Sequence, residues 1–126
     1  YDNCIDIFLS DKELRKQILG IQTDSTSLED SKNPKDCNVF NLYKLIATEE
    51  QTSQLKEKYE AGNFGFGHAK QELFELICNK FSEEREKFNH LMKNKDIIEK
   101  ELQKGAEKAR KIAKEVLMRV RKNIGY

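Results

Sequence analysis

The basic residues near the end of the chain are spaced so that several of them could bind phosphate groups together. At about 100° per residue, one face of a helix would carry Lys104, Lys108, Lys111, Arg119 and Lys122. A row of positive charges of this kind fits the phosphate backbone of a nucleic acid. Lysines on an outer helix face are also commonly just solvated, and the composition taken alone favours that interpretation.

Other residue types that often do chemistry lack the spacing of a catalytic or metal centre. His68 and His90 each have a glutamate four residues away, Glu72 and Glu86, but two ligands do not make a zinc site. The serines cluster in a polar stretch that has no nucleophile elbow. We therefore expect no catalysis and no metal site from this chain alone.

The glycine-rich segment 62–67, which reads Gly-Asn-Phe-Gly-Phe-Gly, resembles a phosphate-binding loop only superficially. The pattern predicts no strand before it, and no Lys-Ser pair follows, so a nucleotide loop is not indicated. The two aromatic residues, Phe64 and Phe66, instead indicate a tight turn that is pinned to the core.

Capping signals locate the helices that carry these residues. Ser10 with Glu13, and Thr48 with Gln51, have the spacing of capping boxes. The two helices that they open are predicted to end near Leu19 and Tyr59. Between them, segment 22–37 is rich in turn formers and predicts a long loop. The apolar segment 38–46, with Asn38 as its cap, predicts a helix buried on most sides, either in the core or at an interface.

The end of the chain predicts two long antiparallel helices, one over residues 68–93 and one over residues 96–124. The last helix carries an apolar stripe opposite its basic face. The stripe consists of Ile98, Leu102, Ala106, Ala109, Ala113, Val116, Leu117, Val120 and Ile124. Its alanines would let a neighbouring helix approach closely, so we expect the stripe to be buried. The predicted fold is an all-α bundle of about five helices.

The composition bounds the class of protein. The chain has 126 residues, which suits one domain, and its net charge is only +1 although its end is strongly basic. Its three cysteines have no Cys-x-x-Cys pair, so we expect a reducing, cytoplasmic setting without a disulfide framework. No signal peptide or long apolar span is present, and no membrane partner is expected. Because the chain begins with Tyr1, we expect it to be part of a longer protein.

Five segments of the chain resemble the C-terminal part of the bacterial-type tryptophanyl-tRNA synthetase family of class I enzymes. The matching segments are Tyr1-Asp2-Asn3, Thr23-Asp24-Ser25, Cys37-Asn38-Val39-Phe40-Asn41-Leu42-Tyr43, the stretch from Tyr59 to Lys70, and Gly105-Ala106-Glu107-Lys108-Ala109-Arg110. Tyr1-Asp2-Asn3 resembles the tripeptide after the family's mobile Lys-Met-Ser-Lys-Ser loop, which this chain lacks. Phe66 is a departure, because the family often has tyrosine there.

The resemblance implies a parent enzyme that activates tryptophan with ATP and magnesium and then charges tryptophan tRNA. The Rossmann domain would precede residue 1, so this fragment would bind no cofactor and be inactive alone. It also implies a homodimer. Residues 1–37 would link to the catalytic domain, and residues 38–126 would contact the anticodon region of the tRNA.

With an RNA ligand implied, the basic face of the last helix becomes a set of candidate phosphate contacts. Lys70 and Arg85 are weaker candidates. The alternative is a helical protein-interaction module whose basic face is incidental. The two hypotheses differ in salt dependence, because phosphate binding weakens steeply as salt rises and apolar association does not.

Overall fold

The computed structural model describes residues 4–125, and within that range the chain forms six α-helices, one short 3-10 helix and no strand. The helices are α1 (Asp11–Leu19), α2 (Asn38–Ile46), α3 (Glu49–Ala61), α4 (Phe66–Lys80), α5 (Ser82–Lys93) and α6 (Lys95–Ile124), and the 3-10 helix is Pro34–Asp36. The predicted all-α class is confirmed, with six helices in place of about five. Tyr1, Asp2 and Asn3 lie outside the described residues. Across the described part of the chain, no helix combines the length and hydrophobicity needed to span a bilayer.

Both predicted capping boxes are present. The backbone N–H of Glu13 donates to Ser10 Oγ at 3.4 Å, and the Ser10 N–H donates back to Glu13 Oε2 at 3.3 Å. Hydrogen bonds from Ser10 lower the pKa of Glu13. Thr48 and Gln51 make the same reciprocal pair at 3.2 and 2.9 Å. These bonds satisfy N–H groups that the first turn of a helix leaves without partners.

The start of α2 differs from the prediction by one residue. Asn38 is the first residue of the helix, and Cys37 is the N-cap without a side-chain hydrogen bond. The Asn38 side chain instead donates to the Gln22 carbonyl at 3.4 Å, because the loop before α2 folds back beside it.

The core is built around Tyr59 of α3, whose side chain is fully buried. Its ring centroid lies 5.5 Å from that of Phe40, 5.7 Å from that of Phe64 and 6.3 Å from that of Phe66. The Tyr59 hydroxyl lies 3.4 Å from Cys37 Sγ. Burial and the contact with Cys37 raise the pKa of Tyr59 well above its usual value, so the phenol is neutral. Phe64 and Phe66 thus pin the glycine turn to the core, as predicted.

Gly62 ends α3 and is required where it stands. Its φ is +78°, in the region that favours glycine, and a Cβ there would lie 2.6 Å from the Glu29 carbonyl oxygen. The loop before α2 therefore packs directly against the α3–α4 turn.

Lys32 holds that loop in place. Its ammonium group donates to the carbonyls of Ser27 at 2.7 Å and Asp30 at 3.1 Å, and its backbone N–H donates to the Tyr59 carbonyl at 2.8 Å. The ammonium nitrogen also lies 5.3 Å from the centre of the Phe66 ring. The side chain is buried, and the carbonyl groups around it solvate its charge, so Lys32 is one of the residues that order the long loop.

The predicted helix over residues 68–93 is two helices. The N–H of Phe81 closes α4 by donating to the Ile77 carbonyl at 3.1 Å, and α5 begins at the next residue. One turn later, the Arg85 guanidinium contacts Asp11 at 2.5 Å and donates to the Ile7 carbonyl. The break therefore lies next to Arg85, which is tied to α1 and to the segment before it.

The prediction that the apolar stripe of α6 is buried is wrong for this chain, because no residue of α6 is buried. Leu102 is 62% exposed and Ile124 is 64% exposed. At 1.5 Å per residue, α5 with 12 residues is about 18 Å long and α6 with 30 residues is about 45 Å. The prediction of a long last helix is therefore confirmed, whereas α5, which precedes it, is short.

By internal contacts the chain divides into two compact units, one ending at Arg85 and the other beginning at Glu86. The buried core belongs to the first unit and is formed by α1 to α4 with the 3-10 helix. Its other fully or nearly fully buried members are Leu14, Ile18, Val39, Leu55, Ala69, Leu73 and Ile77. The second unit consists mainly of α6.

Candidate nucleic-acid interface

The basic face of α6 is a row of positive charges on a single helix. It is formed by Lys104, Lys108, Lys111, Arg119 and Lys122, all of which are exposed. Their positions fall within about 80° of arc around the helix axis. From Lys104 to Lys122 the row extends about 27 Å at 1.5 Å per residue. A straight helix keeps these charges in register, because the row lies within one uninterrupted element.

Most charges on this face are not neutralised within the chain. Lys104 Nζ pairs with Glu101 Oε1 at 2.6 Å. Over residues 4–125, the structure has no ion pair or hydrogen bond to the side chains of Lys108, Lys111, Arg119 or Lys122. Solvated cations in a row can bind phosphates without first breaking an internal salt bridge.

The C-terminal end of α6 is capped and carries positive side chains. Gly125 adopts a left-handed conformation with φ of 83°, and its N–H bonds to the carbonyls of Arg121 and Lys122. Arg121 and Lys122 lie in the last turn, where positive side chains complement the helix dipole. Regular helix therefore continues to the last of the predicted phosphate contacts.

The structure places Lys70 and Arg85, the two weaker candidates, in intramolecular contacts. Lys70 Nζ donates to the carbonyl of Leu19 at 2.8 Å, where it satisfies the end of α1. The side chain of Arg85 is only 12% exposed and is held by Asp11. Both remain predictions as RNA contacts, but each already has a structural partner.

A second surface feature lies at the glycine turn and was missed as a site by sequence reasoning. A shallow cavity of about 400 Å³ is lined by Asn63, Phe64, His68, Gln71 and Glu72. In the sequence, His68 and Glu72 were interpreted only as possible metal ligands. Gln71 and Glu72 follow His68 by three and four positions on α4, so the three side chains share one face of the helix. This spacing was the signal from which the sequence could have indicated a site. Among the described residues, no group of three or more His, Cys, Asp or Glu side chains could hold a metal ion.

An opening with both polar and apolar lining residues lies beside α2. A cavity of about 1080 Å³ is lined by Gly20, Ile21, Gln22, Asn38, Asn41, Leu42, Lys44 and Leu45. Leu45 is 80% exposed although α2 is the most apolar helix of the first unit. Of the two places that the sequence allowed for this helix, the structure shows the core, and an interface remains a prediction. Val39, Phe40 and Tyr43 face the core, and Leu45 faces outward.

No protein-family model matches this chain. Curated relatives do match it. A tryptophan–tRNA ligase from Campylobacter jejuni is 46% identical over 125 residues, which is 99% of this chain and 39% of the relative. A tryptophan–tRNA ligase from Fusobacterium nucleatum is 42% identical over 125 residues, again 99% of this chain and 38% of the relative. The chain thus spans about two fifths of the length of these curated relatives.

Solved structures agree with the sequence matches. The crystal structure of a tryptophanyl-tRNA synthetase from Campylobacter jejuni superimposes with a TM-score of 0.94 at 45% identity and covers 100% of this chain and 41% of that one. A second crystal structure of the Campylobacter jejuni enzyme, in complex with ADP and tryptophan, gives the same TM-score of 0.94 over 40% of its chain.

Proposed function

We propose that this chain, which is homologous to the C-terminal part of the tryptophan–tRNA ligases, is the helical part of such an enzyme that binds the anticodon region of its tRNA. The observation that carries the proposal is the basic face of α6. Four of its five cations have no partner within residues 4–125, on a helix that extends about 45 Å. Phosphate contacts of this kind position an RNA, while exposed loop bases supply specificity.

The parent enzyme would activate tryptophan with ATP and magnesium and transfer it to the 3′ end of tryptophan tRNA. In this proposal the nucleotide, the magnesium ion and the reacting groups bind in a catalytic domain outside this chain. One observation supports that division. The relative solved with ADP and tryptophan is matched over only 40% of its length.

Two exposed surfaces would dock on that catalytic domain. One is the apolar stripe of α6, and the other is the side of α2 with Leu42 and Leu45. Exposed apolar side chains that lie together on one surface mark a contact with another domain or chain. We assign both surfaces to the parent enzyme, which would act as a cytoplasmic homodimer.

The proposed division of the chain into a linking part and a tRNA-binding part has the same boundary as the one expected from the sequence. Residues 1–37 link to the catalytic domain, and residues 38–126 form the domain that contacts the tRNA. The link is not a loose tether, because Leu14 and Ile18 of α1 are buried in the same core as Tyr59. Movement of the catalytic domain would therefore be transmitted to α4 through packed side chains rather than through a flexible linker.

The alternative is a helical protein-interaction module without an RNA ligand. The exposed stripe of α6 favours some apolar partner, and it is equally consistent with this alternative. The basic face separates the two, because an incidental basic face predicts association that salt does not weaken.

Chemical footprinting of tryptophan tRNA tests the proposal. With the 126-residue chain bound, we expect protection from hydroxyl radicals over the anticodon stem and loop, because a 27 Å row of charges reaches several successive phosphates. The acceptor stem serves as the internal control and should stay as reactive as in free tRNA. Protection of the acceptor stem, or the absence of protection at low salt, would contradict the proposed role.

A further inference from the structure

We propose that the cavity at the α3–α4 turn binds one unstacked nucleobase, of the kind that carries an exocyclic amino group. This inference rests on the proposed function, since it names a site for an exposed base of the bound RNA. The cavity measures about 400 Å³, at the lower end of the range for small-ligand sites. Its five lining residues lie within one continuous segment, from Asn63 to Glu72.

The floor of the cavity is aromatic. The rings of Phe64 and His68 lie with their centroids 5.8 Å apart and their planes inclined by 32°. Phe64 is half-buried and anchored by Tyr59, whereas His68 is exposed. A planar base that enters the cavity can therefore lie against these two rings, of which Phe64 is held by the core. Stacking of splayed bases on aromatic side chains is a main source of binding energy in the recognition of single-stranded RNA.

The polar groups around this floor suit the edge of a base. The Asn63 side-chain amide has no hydrogen-bond partner among residues 4–125, and the backbone at Asn63 is held at φ of 55°. The Glu72 carboxylate uses one oxygen to accept from Lys58 Nζ at 2.6 Å, which leaves its other oxygen to accept a hydrogen bond. A carboxylate accepts from the exocyclic amines of cytosine, adenine and guanine, and uracil has no such donor.

The charge of the cavity favours a base over a phosphate. Lys58 neutralises Glu72 and lies 5.7 Å from the centre of the Phe64 ring, so no net positive charge faces the opening. A phosphate-binding site would need an excess of cations or a cradle of backbone N–H groups. Phosphate binding is therefore assigned to α6 and base binding to this cavity.

Gln71, the remaining lining residue, is held by hydrogen bonds before any ligand binds. Gln71 Oε1 accepts from Arg15 Nη2 at 2.6 Å, and Gln71 Nε2 donates to Glu75 Oε1 at 2.6 Å. These two bonds set the orientation of the amide and tie the cavity wall to α1. A wall held in this way loses little freedom when a ligand binds.

The test compares two RNA probes and variants at the two histidines. The probes are the anticodon stem-loop of tryptophan tRNA and a fully paired duplex of the same length. With the 126-residue chain, His68→Ala should weaken binding of the stem-loop by about fivefold or more and leave binding of the duplex unchanged. His68→Phe, which keeps a ring, and His90→Ala, at the other exposed histidine, should each bind both probes within about twofold of wild type. Because His68 is exposed, none of these variants threatens the core.

Equal binding of the stem-loop by His68→Ala and wild type would overturn the proposed base site, as would an equal loss for both probes. The tRNA-binding function would survive either result if reversing the charges of Lys108 and Lys111 still weakened both probes. If the charge reversal also had no effect, the proposed function itself would fail. A scan that places uracil at each loop position should find one position where affinity falls several-fold, and the absence of any such position would refute selection for an amino group.

Discussion

Tyr59→Ala should destabilise the first unit by about 3–5 kcal/mol, the range found when large aromatic core residues are truncated. The ring is fully buried and contacts three other aromatic side chains, Phe40, Phe64 and Phe66. Its removal leaves a cavity where the loop before α2, the glycine turn and α4 meet. Since whole domains are stable by only about 5–15 kcal/mol, the variant should be mostly unfolded in moderate urea. Urea titration followed by circular dichroism measures the change.

Leu45→Ala is the matched control for the loss of a large apolar side chain. Leu45 is 80% exposed in this chain, so the free energy of unfolding should change by no more than about 0.5 kcal/mol. A Tyr59→Ala variant that loses less than about 1 kcal/mol would mean that the aromatic cluster does not organise the core.

Lys108→Glu combined with Lys111→Glu should weaken binding of tryptophan tRNA roughly tenfold or more at low salt. The two residues are neighbours on the basic face of α6, and neither has an ion-pair partner among the described residues. Reversal removes two cations and also repels the phosphates that they would contact. The slope of log affinity against log salt should become shallower by about two, one for each lost phosphate contact.

The control for net charge is Lys12→Glu combined with Lys56→Glu. Both residues are exposed, and neither belongs to the basic face of α6. This variant changes the total charge by the same amount and should bind within about threefold of wild type, because screening limits the effect of distant charges. If both double variants weakened binding equally, the effect would be one of overall charge, and α6 would lose its special role.

Features that depend on neighbouring residues in the chain could be predicted from the sequence. The capping boxes at Ser10 and Thr48 and the stop at Gly62 follow from local hydrogen bonding and backbone geometry. The loop over residues 22–37 follows from its turn-forming composition. The hydrophobic period identified the buried sides of α3 and α4, since Leu55, Tyr59, Leu73 and Ile77 are all buried.

Features that depend on residues distant in the chain could not be predicted from the sequence. Phe81 continues the apolar period of α4, and this period outweighed the local helix-start signal of Ser82 followed by Glu83 and Glu84. The contacts of Arg85 with Asp11 of α1 and with the Ile7 carbonyl before α1 coincide with that break. Lys32 reads as one more polar loop residue, yet it is buried by carbonyls that only the folded loop assembles.

The apolar stripe of α6 shows a different limit. Its period is that of a buried helix, and the sequence alone gave no means to tell which surface covers it. In this chain it is exposed. The relatives are about two and a half times as long as the part that matches this chain. Most of each relative therefore has no counterpart in this chain. The same limit applies to the candidate site, because spacing identifies a basic face but does not identify its ligand.

The binding of tRNA phosphates by α6, with exposed bases supplying the preference, can be measured directly. The 126-residue chain is titrated with tryptophan tRNA and with a non-cognate tRNA over a series of salt concentrations. We expect tighter binding of tryptophan tRNA, and for both tRNAs a steep linear fall of log affinity with log salt. Binding that is insensitive to salt and equal for the two tRNAs, or no binding even at low salt, would contradict this role of α6.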